Sequence, residues 1–221
     1  MTMKNHLVRF LSLLSVAAAA ALLGSGCAST SGYQQADKTG AGIAEFRAEI
    51  VNGKKAIDAT MKSLGDIAAT ANTDPRKAYQ QFSKAVSNLE STATKVRKRG
   101  EDMKAQGAAY FKQWEAQLAS VNNPEIRGLA ESRKVKLQET FDSIRKYTEP
   151  LKVQFGPWMS NLQDLQKYLG NDLTIAGVDA AKPLFTKAST EGAEVQKSMD
   201  ALVAELNTIA ATITPAKAAK K

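Results

Sequence analysis

Ile43, Phe46, Ile50, Gly53, Ile57, Thr60, Leu64, Ile67 and Ala71 follow one another at strictly alternating steps of three and four residues. Steps averaging 3.5 keep these side chains on one narrow stripe of a helix, the seam of a coiled coil, and a strand's period of two cannot reproduce them. Three more stripes follow. One runs through Phe82, Val86, Leu89, Ala93, Val96, Gly100, Met103, Gly107, Tyr110, Trp114, Leu118 and Val121, and breaks the alternation only between Trp114 and Leu118. The next starts at Ile126 and passes Ala130, Arg133, Leu137, Phe141, Ile144, Thr148, Leu151 and Phe155 to reach Met159, Leu162, Leu165 and Leu169. The last holds Val178, Ala181, Phe185, Ala188, Gly192, Val195, Met199, Leu202, Leu206, Ile209 and Ile213.

The punctuation between stripes is helical stop-and-start chemistry. In Asn72-Thr73-Asp74-Pro75, Asp74 suits an N-cap and Pro75 a first helical position; Asn123 and Pro124 repeat the arrangement, and Gly170-Asn171-Asp172 interrupts the third stripe. The spacing predicts an all-α fold, an elongated antiparallel coiled-coil-like bundle of four long helices over roughly 41–71, 75–121, 124–169 and 174–213. Pro150 and Pro157 should bend the third helix, and Pro183 should kink the fourth or mark its start. A helix over 75–121 would be roughly 70 Å long, so the body should be a rod. Gly53, Ala93, Gly100, Gly107, Ala188 and Gly192 on the seams would let backbones approach closely. Residues 27–40, small and polar, read as a flexible leader, and 214–221 as a disordered basic tail.

The first 26 residues read as an address. Lys4 and Arg9 precede an apolar run from Phe10 to Leu23 of about 14 residues, the length of a secretory hydrophobic region and short of the ~20 a spanning helix needs. Gly24, Ser25 and Gly26 then lead to Cys27, the chain's only cysteine. The stretch resembles a bacterial lipoprotein signal peptide, in which such a cysteine is lipidated and becomes the first mature residue. Gly24 stands where that pattern has Leu. The residues also admit an ordinary secretory peptide or an uncleaved anchor. Ala28, rather than Asp, resembles the pattern of lipoproteins sent to the outer membrane, which implies a lipid anchor at its periplasmic face.

Three segments of the body, FKQWEAQL (Phe111–Leu118), EPLKVQF (Glu149–Phe155) and LQKYLGNDL (Leu165–Leu173), resemble in order and spacing a family of bacterial lipoproteins designated Domain of Unknown Function 2959. The resemblance covers roughly Phe46 to Ile213. Where the family pattern has Lys-His-Asn after the Tyr-Leu pair, this chain has Gly170-Asn171-Asp172. The resemblance implies an all-helical envelope lipoprotein and supplies no activity.

Chemistry is thinly represented. The only His is His6, inside the signal, so the body can build neither a Cys/His metal site nor a Ser-His or Cys-His nucleophile. Glu45/Glu49 and Glu191/Glu194 are helix neighbours of the kind that usually form solvated faces. No catalytic residue, metal ligand or cofactor is assigned, and the expectation is a non-enzymatic protein. Charge is the remaining lead, a net +8. Lys95, Arg97, Lys98, Arg99 and Lys104 form one basic cluster and Arg133, Lys134 and Lys136 another, with a third in the tail. If the second and third helices form a hairpin, the first two clusters lie about 20 Å apart along it. Glu101, Asp102, Glu131 and Glu139 interrupt both, which suits an ordinary mixed surface; the functional reading is attraction to anionic lipid or cell-wall polymer. Expected partners are therefore the membrane, through Cys27, and an envelope protein, anionic lipid or cell-wall polymer. Export argues against nucleic acid. Seams this long also suit pairing of two copies, and a groove at the proline bends would suit a chaperone.

Overall fold

The computed structural model describes residues 31–214, and within them every regular element is a helix. They are α1 (Gly32–Thr70), α2 (Arg76–Leu118), α3 (Pro124–Asp142), α4 (Ile144–Asn171) and α5 (Ile175–Ile213). The signal segment 1–26, Cys27 and the tail beyond 214 lie outside the described residues. At 43 residues, α2 is about 64 Å long, so the body is a rod.

α3 and α4 together make one leg, giving four legs in an up-and-down ring. Cross-leg contacts fix the register. α1 runs antiparallel to α2, with Glu45 on Arg99 at 2.9 Å and Gly32 level with Gln117. It also runs antiparallel to α5, where Arg47 donates to Asn207 at 2.6 Å and Gln196 to Asp58 at 2.6 Å. α4 pairs with α5 through Ser198 and Gln154 at 2.7 Å, and with α2 through the Tyr79 hydroxyl on the Gln166 carbonyl at 3.2 Å.

The seams become the core. All nine positions of the first stripe and all eleven of the last are buried, because both helices have a neighbour on each side. The indole of Trp158, off the stripe and 1% exposed, is an addition: its Nε1–H donates to the Ala188 carbonyl at 2.8 Å. The seam glycines serve side chains rather than backbone approach. A β-carbon at Gly107 would overlap the Phe141 ring, and one at Gly192 would sit 3.0 Å from the Trp158 indole.

Four further expectations change. The leader is not flexible throughout: Gly32–Gly40 belongs to α1, with Ala36 and Thr39 buried. These two extend the three–four alternation backwards from Ile43 with side chains small enough to pass for linker. A further signal is Ser31-Gly32-Tyr33-Gln34, a capping-box pattern in which the Ser31 N–H donates to Gln34 Oε1 at 3.0 Å. The third leg is interrupted at Ser143, not at its prolines. There the Lys146 N–H reaches the Ser143 carbonyl at 3.0 Å, a tightened three-residue step, while the hydroxyl bonds the Thr140 carbonyl at 2.6 Å and the Glu205 carboxylate. α4 and α5 run unbroken through Pro150, Pro157 and Pro183, which lie on exposed faces where water can satisfy the freed carbonyls. Pro183 therefore does not mark the start of α5; Thr174 does, its hydroxyl accepting from the Gly177 N–H at 3.1 Å. Finally, α2 begins one residue beyond Pro75, with Asp74 accepting from the Arg76 N–H at 3.1 Å.

Candidate functional site

The α2–α3 hairpin gathers what this chain offers by way of a site. Asn123 caps α3, its side-chain oxygen accepting from the N–H groups of Glu125 at 2.9 Å and Ile126 at 3.2 Å. Arg127 closes the turn from the other side with two donations to the Val121 carbonyl, at 3.1 and 2.6 Å. So fixed, the hairpin places the two basic clusters on adjoining legs.

Lys95, Arg97 and Lys98 are exposed on α2. Arg99 is neutralised across the interface by Glu45 at 2.9 Å, with Asp102 at 3.9 Å. Arg133 donates to the Thr212 carbonyl at 3.2 Å, which ties α3 to the end of α5, and Lys136 is exposed. Lys104 and Lys134 line one groove of about 480 Å³ between α2 and the third leg. Lys134 pairs there with Glu115 at 3.5 Å. The groove thus bridges the inner ends of the two clusters, which the hairpin spacing alone kept apart. Lys112 and Arg145 also line it, over a floor that includes Phe111 and Phe141, whose rings meet edge-on at 5.9 Å. Lys112 stands alone in the sequence and Arg145 has only Lys146 beside it, so the hairpin register was the signal that would have joined them to the clusters. Glu115 and Asp142 are its acidic wall. Lys104 and Arg145 also act on Glu149, whose carboxyl is held below its ordinary pKa first by a hydrogen bond from Lys152. Chemically, the groove can hold an elongated molecule with an apolar body and an anionic group.

A second cavity, of about 430 Å³, lies at the end of the rod where α1 begins and α5 stops, walled by Tyr110, Trp114, Arg133, Leu137 and Ile213. Burial raises the Tyr110 phenol above its ordinary pKa, and Arg133 opposes that shift. The carboxylate pairs singled out from sequence are separately occupied: Glu45 by Arg99, Glu49 by Asn52 at 3.4 Å, Glu191 by Lys187 at 3.8 Å and Glu194 by Lys197 at 4.0 Å. Among the described residues no group of three or more Asp, Glu, His or Cys converges, and no helix is long and apolar enough to cross a membrane.

Fold and surface together define an elongated, antiparallel all-α bundle with a mixed cationic groove. The chain belongs to the family described as protein of unknown function (DUF2959), whose pattern it matches over residues 29–213. No match is found among curated proteins, and none among solved structures.

Proposed function

We propose that the protein is a non-enzymatic envelope lipoprotein, a helical rod held by a lipidated Cys27 at the periplasmic face of the outer membrane and presented to envelope partners. The observation that carries this reading is the position of Cys27. The sole cysteine follows a secretory-length apolar run and lies four residues before Ser31, where the rod begins. A short tether of that kind holds the rod close to a bilayer, and lipid chains contribute about 0.8 kcal/mol per buried CH₂. The test is metabolic labelling with a clickable fatty acid followed by envelope fractionation. The full chain should take the label and sediment with the outer membrane; Cys27→Ser should lose the label and leave the membrane. A labelled chain in the cytoplasmic fraction, or no label at all, would reject the reading.

A second reading is supported by the groove: Lys104, Lys112, Lys134 and Arg145 over aromatic rings suit an anionic lipid or cell-wall polymer. Co-sedimentation of the Cys27→Ser form with anionic vesicles or purified cell wall tests it. Binding that weakens with salt, and weakens further in Lys104→Glu/Lys134→Glu, is the expected result.

A further inference from the structure

The seam of α3 does not stop where its neighbours do. Ile126 lies on the same side of the helix as the buried Leu137, yet it is 54% exposed, and Leu129, on the flank of that seam, is 74% exposed. The reason is length. Arg133 lies against Thr212, at the end of α5, so residues 124–132 of α3 stand beyond α5 by about 13 Å. On the other side α1 begins level with Gln117. The apolar stripe of the hairpin tip therefore emerges from the bundle uncovered.

We infer that this tip docks on an anionic bilayer, with Ile126 and Leu129 entering the head-group layer beside the lipid anchor. The inference rests on the reading of Cys27 as that anchor. Ser31 is four steps along the chain from Cys27, a span of at most about 14 Å, which matches the distance by which the tip stands out. Charge agrees. The tip itself carries Arg127 against Glu125 and Glu131, but Arg133 and Lys136 stand just behind it, and the chain that continues from Thr214, at this same end, carries Lys217, Lys220 and Lys221. A second copy is the poorer occupant, because two side chains fall far short of the ~800 Å² per partner that a stable interface buries. Arg127, bonded to the Val121 carbonyl, holds the tip as one rigid unit, so the apolar pair is presented without first being ordered.

The experiment uses the full chain purified from envelopes and reconstituted into vesicles of phosphatidylethanolamine and phosphatidylglycerol. A lipidated Cys27 has no free thiol, so the unsubstituted protein should take no thiol-reactive fluorophore, and Leu129→Cys should take one. On reconstitution the Leu129→Cys label should shift to the blue and be quenched at least twofold by nitroxide-bearing lipid. A control label at Val153→Cys, on an exposed position of α4 about 36 Å along the rod, should not change. If the unsubstituted chain takes label, the anchor reading fails and this inference falls with it. If it takes none and Leu129→Cys behaves like Val153→Cys, the docking tip alone is overturned. A blue shift that grows with protein concentration in the absence of vesicles would also overturn it, by showing that a second copy covers the tip.

Discussion

The two ends of the rod are built from similar sequence and have opposite fates. At the turn end, where α1 hands over to α2 and α4 to α5, the stripe residues Leu64, Ile67, Phe82, Leu162 and Leu169 are each 1% exposed or less. At the other end the stripe residue Ile126 faces solvent, and so does Leu129 on its flank. The period of a stripe states which residues share a face. It does not state how many neighbouring legs reach that level of the rod, and burial depends on the neighbours. Four legs meet at the turn end, whereas only the α2–α3 hairpin reaches the far tip.

That contrast is broken most directly by truncating one side chain at each end. Trp158 fills the space over Gly192 and bonds the Ala188 carbonyl, so Trp158→Ala leaves a cavity and removes a buried hydrogen bond. It should cost about 3–5 kcal/mol in urea denaturation. Leu129→Ala should change stability by less than ~0.5 kcal/mol, since the side chain is 74% exposed. Equal losses would mean that the tip is covered within the folded chain.

Glycines offer a sharper version of the same contrast, because the identical substitution should have opposite signs. Gly107 lies under the Phe141 ring, so Gly107→Ala should destabilise by about 1–3 kcal/mol, overpacking outweighing the gain in helix propensity. Gly128, at the tip, has open space where its β-carbon would be. Gly128→Ala should therefore stabilise by up to ~1 kcal/mol. Thermal melts of the pair decide it. A destabilised Gly128→Ala would reveal a packing partner at the tip.

The helical class and the order of the legs were legible because heptad spacing and Asn/Asp-Pro punctuation act locally. Asn123 with Pro124 is the clearest case. What was illegible depends on contacts between legs. Trp158 lies one position off the stripe and is core only because Gly192 on α5 leaves room for an indole. Ser143 interrupts its leg through hydroxyl bonds, one of them to Glu205 on another helix, whereas the prolines that looked disruptive face solvent. The groove was half legible: its Lys104 and Lys134 stand in basic runs, but Lys112 and Arg145 join it only through the hairpin register. The start of α1 was legible in principle, in the Ser31–Gln34 capping pattern, and was masked by small polar composition.

Caps test whether the tip is held as a unit. The Asn123 side chain accepts from two of the first N–H groups of α3, so Asn123→Ala should cost about 1 kcal/mol. Thr174→Ala at the opposite end removes one such bond, to Gly177, and should cost no more. Hydrogen exchange should place the Asn123→Ala loss in local opening of residues 124–132, because α1 and α5 stop short of them and only the end of α2 lies alongside. An effect spread evenly over the rod would contradict the separation of the two ends.

The smallest expected effect divides the ends by pH. At the turn end, hydrogen bonds from the Arg76 side chain and backbone hold Asp74 below its ordinary pKa. A carboxyl with a lower pKa in the folded state contributes stability above its unfolded value, near ~4, and loses it as pH falls through the folded one. Asp74 is fully exposed, so the acid-side slope it adds is slight. At the other end burial raises the Tyr110 phenol. Its contribution is intact below its unfolded value, near ~10, and is lost as pH rises from there through the folded one. Tyr110→Phe should therefore flatten the alkaline limb of stability against pH and leave the acid limb unchanged, while Asp74→Asn does the reverse. If Tyr110→Phe leaves the alkaline limb as it was, the phenol is hydrated in solution. The cavity walled by Tyr110, Trp114 and Arg133 is then open to water, and the boundary between covered and uncovered seam moves inward from the tip to the level of Tyr110.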